Sequence, residues 1–213
     1  GYSYNISNKK GRGMCLSYLG IAKNQSDWKP PYNEISKSRA VVISEKFSPY
    51  TLQTIVHAKS LGKLTVINGM LKTANKKIVD FLKVTDYLFI NKKELEAVLI
   101  ALNADNVKDI FSIGPSMIVV TEGSKGSRWF LKNSQFTCDA VLTSYTKDTT
   151  GAGDAFAGAS IAKLLQGSSP KEAAKYASTV SSFVVEKWGC QTNLVKPKYI
   201  KERMNSFFKH KKL

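Results

Sequence analysis

Short apolar runs alternate with longer amphipathic segments over the central part of the chain. The runs AVVIS, LTVIN, DYLFIN and MIVVTEG lack polar alternation, which is typical of parallel strands that are buried on both faces. The segments SPYTLQTIVHAKSLG, ANKKIVDFLK and KKELEAVLIALN, which lie between these runs, have the pattern of helices. This alternation predicts an α/β layered fold with a mostly parallel central sheet flanked by helices.

The first of these helices carries boundary signals at both ends. Ser48 suits the N-cap, Pro49 suits the first helical position, and Gly62 suits the position just after the helix. Leu52, Ile55 and Val56 are expected on its apolar face. We therefore predict a helix that starts after Ser48 and ends before Gly62.

Two hairpins and a helical C-terminal part complete the prediction. YSYNIS and MCLSYL flank the polar turn NKKGRG, and GSRWFL and FTCDAVL form a similar pair. Helices are predicted over residues 155–166, from a capping box at Ser169 and Glu172 to Trp188, and over residues 197–208. We expect residues 1–30 to form a partial β lid with its connection, and residues 31–213 to form the α/β core.

Composition limits the classes of function. With 213 residues, 43% of them hydrophobic, the chain can bury a sizeable core. It lacks a run apolar enough for a membrane span or a signal sequence, so we expect a cytoplasmic protein that has no membrane partner. The net charge of +16 raises the alternative of a nucleic-acid-binding protein. We do not favour it, because the lysines are scattered and no nucleic-acid motif accompanies them.

The stretch KDTTGAGDAFAG, residues 147–158, is the main candidate for chemistry. At the start of a helix, Gly151, Ala152 and Gly153 would present backbone N–H groups that attract an anion such as phosphate. Asp154 would repel a resting phosphate, but it suits a general base for an attacking hydroxyl group. A purely structural aspartate cap would leave most of this stretch unexplained. The pattern therefore indicates phosphoryl transfer to an alcohol.

The same residues resemble the signature of the ribokinase-like (PfkB) family of carbohydrate and nucleoside kinases. Two further segments agree with that family in their order along the chain. INKKELEAV resembles its Asn-x-x-Glu element, here Asn91 and Glu94. VVTEGSKGS resembles its nucleotide-contacting strand end, here Thr121, Gly123 and Gly126.

The resemblance implies an ATP-dependent kinase with a ribokinase-like fold and part of a small β lid. It implies that Asp154 is the catalytic base, that residues 151–153 form the anion hole, and that Asn91 and Glu94 organise Mg²⁺ through water. Without the other motifs, Asn91 and Glu94 would be interpreted as an ordinary helix start. The residues that would lie near the nucleotide are Thr121, Gly123, Gly126 and Thr150.

The acceptor is less well defined by the sequence. SFVVEKWGCQTNL and the first hairpin resemble the archaeal nucleoside-kinase branch, which favours a nucleoside, but a sugar stays open. The family's Gly-Gly segment and early Asp, which hold the acceptor, have no counterpart here, and Asn68 stands in VINGM where an Asp is common. We therefore expect a fragment of the family domain. A nucleotide-binding relative without phosphoryl transfer is the alternative, and a homodimer through the lid is possible.

Overall fold

The computed structural model describes residues 1–7, 13–25, 27–44, 47–69 and 78–209. Strands and helices alternate through most of these residues. The strands are β1 (Tyr2–Ser7), β2 (Gly13–Tyr18), β3 (Ala40–Ser44), β4 (Leu64–Asn68), β5 (Tyr87–Asn91), β6 (Met117–Thr121), β7 (Ser127–Leu131) and β8 (Ser134–Cys138). The helices are α1 (Tyr32–Lys37), α2 (Pro49–Ser60), α3 (Ile78–Lys83), α4 (Lys92–Leu102), α5 (Val107–Phe111), α6 (Ala152–Leu165), α7 (Pro170–Val184) and α8 (Pro197–Phe208).

The larger sheet has the strand order β3-β4-β5-β6-β7-β8. Neighbouring strands are parallel from β3 to β6, whereas β7 and β8 form an antiparallel hairpin on the end. Because helices connect the parallel strands, the carboxyl ends of β3 to β6 meet at one edge of the sheet. The prediction of a mostly parallel α/β fold is confirmed.

Helices cover both faces of this sheet. On one face, Ile67, Leu88 and Val120 pack with buried side chains of the α2–α5 region. On the other face, Val66, Phe89 and Val119 pack with α6 and α7. Alternating residues of each strand therefore enter two separate cores, which explains the uninterrupted apolar runs in the sequence.

β3 departs from this pattern because it lies at the edge of the sheet. Its side chains are less buried than those of β4, β5 and β6, and Val42 is 44% exposed. The prediction of burial on both faces is therefore wrong for β3. The exposure of Val42 leaves an apolar wall beside the site described below.

β1 and β2 form a separate antiparallel hairpin, as predicted. The turn NKKGRG lies outside the described residues except for Gly13. One face of the hairpin carries only large apolar side chains, and each of them is more than half exposed: Tyr2, Tyr4, Ile6, Met14, Leu16 and Tyr18. Within the described residues, no helix combines the length and apolar character that a membrane span requires.

Local capping signals place most helix boundaries correctly. Ser48 caps α2 with a reciprocal capping box, and Pro49 is the first helical residue. α7 begins with the predicted box of Ser169 and Glu172. The prediction for Val56 is wrong, because this side chain is 45% exposed. For α3, residues 74–77 of the predicted helix lie outside the described residues.

Other boundaries differ because long-range contacts decide them. α6 begins at Ala152 rather than residue 155, directly after a left-handed glycine. α7 ends at Val184 rather than Trp188, where the carbonyl of Val185 accepts the N–H groups of residues 147 and 148. The short helices α1 and α5 were not predicted, because neither is long enough to show a helical period.

Candidate active site

Three strand ends and one helix start meet at the carboxyl edge of the parallel sheet. Asn68 ends β4, Asn91 ends β5 and Thr121 ends β6. These residues line a small cavity of about 150 Å³ together with Gly153 and Asp154 from the start of α6. Crevices of this kind, outside the carboxyl ends of parallel strands, are common ligand sites in α/β proteins.

Gly151 shapes the start of α6. It is the N-cap residue and has φ 78° and ψ −4°, a left-handed conformation that favours glycine. A Cβ on Gly151 would also lie 2.3 Å from the Cβ of Cys190, so no larger residue fits without movement. Glycine is therefore required here both by the backbone and by the approach of the loop that follows α7.

The start of α6 has unpaired N–H groups. Ala152 donates its N–H to the carbonyl of Thr149 over 3.2 Å. Within the described residues, the N–H groups of Gly151, Gly153 and Asp154 have no hydrogen-bond acceptor. These groups and the helix dipole attract an anion. Ala152 is thus a weaker candidate donor than the two glycines that the sequence grouped with it.

Asp154 is exposed at the third position of α6. The side-chain nitrogen of Asn68 donates a hydrogen bond of 2.8 Å to its Oδ1 atom. Asp154 also lines a second cavity of about 380 Å³, whose other lining residues include Val42, Ser44 and Gly158. Asp154 therefore stands between this outer cavity and the crevice at the strand ends.

Asn91 and Glu94 form a reciprocal capping box at the start of α4. Asn91 Oδ1 accepts the N–H of Glu94 over 3.0 Å, and Glu94 Oε2 accepts the N–H of Asn91 over 2.8 Å. Asn91 and Glu94 therefore form an ordinary helix N-terminus, which was the alternative interpretation of these two residues from the sequence. Both residues also line the small cavity with Asp154.

Carboxylate and amide oxygens at this cavity are of the type that Mg²⁺ prefers, and Mg²⁺ keeps several water ligands. Among the described residues, no group of three or more His, Cys, Asp or Glu side chains could enclose a metal ion. The donors therefore fit an ion held through water and a phosphate, not one enclosed by protein ligands.

A larger cavity of about 610 Å³ shares Asn91, Thr121 and Gly153 with the small cavity. Thr121, Gly123 and Gly126, three of the predicted nucleotide-binding residues, line it. Thr150 does not line it, whereas its neighbour Thr149 does. Its wall also includes Val141 and Leu142 from the segment after β8, Ser178 and Ser181 from α7, and Val185 directly after α7.

Glycine is required at position 126 for a structural reason that the sequence did not show. Its φ is 94°, and a Cβ would lie 2.1 Å from the carbonyl oxygen of Cys138. Gly123 also has a positive φ, but a Cβ there would meet nothing within 4 Å. A side chain at Gly126 would therefore collide with the end of β8, while one at Gly123 would have free space around it.

Asp148 connects the glycine loop to the loop after α7, although the sequence analysis gave it no role. Its carboxylate accepts the N–H of Thr150 over 2.9 Å and the N–H of Gly189 over 3.1 Å. Hydrogen bonds from Thr150, and then that from Gly189, lower the pKa of Asp148 below its ordinary value. The turn signal of an aspartate two residues before Thr150 could have predicted the first of these bonds.

Similarity to known proteins identifies the family of this chain. The sequence model described as "pfkB family carbohydrate kinase" matches residues 17–197. A nucleoside kinase of Methanothermobacter thermautotrophicus is 28% identical over 180 residues, which cover 83% of this chain. The chain spans only 57% of the length of that relative.

Solved structures share the fold. The nucleoside kinase of Methanocaldococcus jannaschii, an archaeal member of the ribokinase family, superposes with a TM-score of 0.86 and 24% identity, covering 96% of this chain and 67% of that protein. A putative ribokinase II of E. coli in complex with ATP and Mg²⁺ gives a TM-score of 0.77 and 17% identity, covering 96% of this chain and 71% of that one.

Proposed function

The chain belongs to the pfkB family of carbohydrate kinases, and on this premise we propose that it transfers the γ-phosphoryl group of ATP to a hydroxyl group of a nucleoside or a sugar. One observation carries the proposal. Asp154 lies between two cavities, beside unpaired N–H groups at the start of α6. A phosphoryl transfer to an alcohol requires a proton acceptor and an anion site next to each other.

Asp154 acts as the general base in this proposal. An acceptor in the outer cavity would place its hydroxyl group beside the carboxylate, which takes up the proton as the hydroxyl oxygen attacks the γ-phosphorus of ATP. The bond from this phosphorus to the β,γ-bridging oxygen breaks, and ADP leaves. Gly151 and Gly153, with Ala152 as a weaker contributor, form the anion hole for the charge that develops on the transferred group. The exposure of Asp154 and Gly153 leaves both accessible to substrates.

The 610 Å³ cavity is proposed as the ATP site. Its position next to Gly153 supports this role. The phosphates of ATP could reach the start of α6 while the adenine ring lies among apolar side chains. Thr121, Gly123 and Gly126 line the site, and Thr150 contributes through the loop that it shares with Asp148. The E. coli structure supports the proposal because it contains ATP within the same fold.

Asn91 and Glu94 would hold Mg²⁺ through water. Their shared cavity with Asp154 supports this proposal, as does the Mg²⁺ in the E. coli complex. The ion would supply positive charge that offsets the negative charge of the phosphates. Both side chains would keep their capping bonds, because the single side-chain oxygen of Asn91 has a second lone pair and Glu94 uses only its Oε2 atom in the box.

A nucleoside is the acceptor that we favour, and a sugar is the second candidate. The two archaeal relatives are nucleoside kinases, whereas the family description names carbohydrate. A phosphorylation assay of the full-length polypeptide that carries these residues, with ATP, Mg²⁺ and a panel of nucleosides and sugars, would separate the two. A cytoplasmic location, where ATP is available, belongs to the same proposal.

A catalytically inactive, nucleotide-binding relative is the alternative, because membership of a fold family does not by itself imply activity. Replacement of Asp154 by Asn tests the proposed chemistry in the full-length polypeptide. We expect kcat to fall at least about a hundredfold while ATP affinity is retained. Asp109→Asn is a matched control, because Asp109 holds the same helix position in α5 and lines none of the three cavities.

The control separates a loss of the base from the general effect of removing a negative charge from the first turn of a helix. Near-normal turnover in Asp154→Asn would remove Asp154 from its proposed role. ATP binding without turnover in the unaltered full-length polypeptide, across the whole acceptor panel, would select the inactive relative.

The apolar face of the β1–β2 hairpin supports a homodimer through the lid. Two such faces packed together would remove a contiguous apolar surface from water. Tyr4→Lys with Leu16→Lys should shift the mass measured by light scattering toward the monomer. Ser3→Lys, on the opposite face, should not.

A further inference from the structure

Asn68 holds the carboxylate of the proposed base. Its side-chain nitrogen donates a 2.8 Å hydrogen bond to Asp154 Oδ1, between residues that are 86 positions apart. Within the described residues, this is the only hydrogen bond to the Asp154 side chain. Without this hydrogen bond, the exposed carboxylate would sample several orientations.

Asn68 is itself rigidly placed. It ends β4, pairs in register with Ser44 of β3 and with Phe89 of β5, and is only 9% exposed. The following residue, Gly69, donates its N–H to the carbonyl of Phe89 over 2.9 Å. The backbone of Asn68 is therefore held on both sides by the sheet, and a donor on a rigid element restricts the acceptor that it binds.

The contact also divides the two oxygens of Asp154 between two tasks. A hydrogen bond to a charged group is shorter and stronger than one between neutral groups. Because the amide occupies Oδ1, Oδ2 is left to receive a proton. Asn68 lines both the outer cavity and the small cavity, so it borders the place where acceptor and phosphate would meet.

We propose that Asn68 is a positioning residue, which orients the Asp154 carboxylate so that Oδ2 can accept the proton of the acceptor hydroxyl. This inference rests on the proposed function. The proposed role depends on the amide as a hydrogen-bond donor. An aspartate at position 68 would have nearly the same shape, but it would place a second carboxylate beside that of Asp154.

The charged surroundings of Asp154 bear on any test that varies pH. Of the described residues that line the two cavities containing Asp154, only Glu94 on α4 carries another titratable side chain. β3 and β4 contribute Val42, Ser44 and Asn68 to these walls, and none of them is charged. A new carboxylate at position 68 would therefore be the strongest change in local charge.

Two replacements test the proposal in the full-length polypeptide. Asn68→Leu removes the donor and keeps the size, and we expect kcat to fall about tenfold or more while KM for ATP stays within about twofold. Asn68→Asp should also lower kcat at neutral pH, because two adjacent carboxylates share one proton that then occupies the base. Its kcat should recover as the pH rises, unlike that of Asn68→Leu.

Asn33→Leu is the matched control, because it makes the same replacement at an exposed residue of α1 that lines none of the three cavities. It should leave the pH profile and kcat close to those of the unaltered protein. In the double variant Asn68→Leu with Asp154→Asn, the loss should not exceed that of Asp154→Asn alone, because both changes act on one group.

The outcomes separate this inference from the proposed function. A wild-type kcat in Asn68→Leu, or an unchanged pH profile in Asn68→Asp, would overturn the positioning role if Asp154→Asn is inactive. Additive losses in the double variant would also overturn it, since Asn68 would then act independently of the base. Normal turnover in Asp154→Asn would instead contradict the proposed function itself. If Asn68→Leu does not fold, Asn68→Asp alone decides, because it preserves the shape of the side chain.

Discussion

Gly151 and Cys190 face each other across the start of α6, so closely that a Cβ on Gly151 would lie 2.3 Å from the Cβ of Cys190. This approach joins the glycine loop to the loop that follows α7. Asp148 strengthens the same junction by accepting the N–H of Gly189. The proposed anion site is therefore built from two segments of the chain, and substitutions in either segment should alter it.

Alanine at Gly151 and at Gly153 should have different effects. Gly151→Ala forces a side chain into a left-handed residue, at a cost of roughly 1–2 kcal/mol, and against Cys190. Gly153→Ala has open space, so it should leave the free energy of unfolding nearly unchanged and weaken only ATP binding. Urea unfolding and ATP titration of both variants measure the difference. Equal destabilisation would contradict the described conformation of Gly151.

Chemical labelling of Cys190 should interfere with ATP binding. Cys190 is exposed, whereas burial and then the nearby Asp139 raise the pKa of Cys138 to about 11, which keeps that thiol protonated. N-ethylmaleimide should therefore modify Cys190 in preference to Cys138, and the added group should crowd the loop at Gly151. Peptide mass spectrometry with and without ATP measures the reaction. A fully labelled Cys190 with unchanged ATP affinity would count against the anion site.

Glu94→Gln should produce a defect that depends on Mg²⁺. The side-chain oxygen of glutamine can still accept the N–H of Asn91, so the start of α4 is preserved while one negative charge is lost. We expect lower activity that partly recovers at high Mg²⁺ concentration, measured as kcat/KM against the metal concentration. Glu172→Gln changes the equivalent capping box of α7 and should show no such dependence. A metal-independent loss would indicate a structural role for Glu94.

Asp86 should make the stability of the protein depend on pH. Partial burial acts to raise its pKa, but the hydrogen bonds from Lys59 and Thr65 and the charge of Lys59 together lower it below 3.8. A carboxylate whose pKa is lowered by folding stabilises the folded state at pH values above its ordinary pKa. This contribution is lost as the pH falls through the lowered pKa. Asp86→Asn should therefore cost stability at neutral pH and progressively less below about pH 4.

Urea unfolding between neutral and acidic pH measures this difference for the unaltered protein and for Asp86→Asn. Asp80→Asn, a change of an exposed aspartate on α3, is the control and should give a nearly constant difference. If the difference in the free energy of unfolding between the unaltered protein and Asp86→Asn does not change with pH, the carboxylate contributes by shape and hydrogen bonding rather than by charge.

The sequence determined features whose causes lie within a few residues. Ser48, the Asn91–Glu94 pair and the Ser169–Glu172 pair cap their helices through bonds that span three positions. The glycine loop with Asp154 is local in the same sense, because the loop and the first turn of α6 are continuous. Apolar runs without alternation predicted the parallel sheet, because burial on both faces constrains every residue of a strand.

Only the tertiary structure decided what depends on distant partners. Asn68 contacts Asp154 across 86 positions, β3 lies at the edge of the sheet and leaves Val42 exposed, and α7 ends where residues 147 and 148 bind the carbonyl of Val185. Periodicity and capping rules act over one or two turns, so they carry no information about such partners. The position of the proposed base follows from the sequence, whereas its orientation by Asn68 follows only from the packing of β4 against α6.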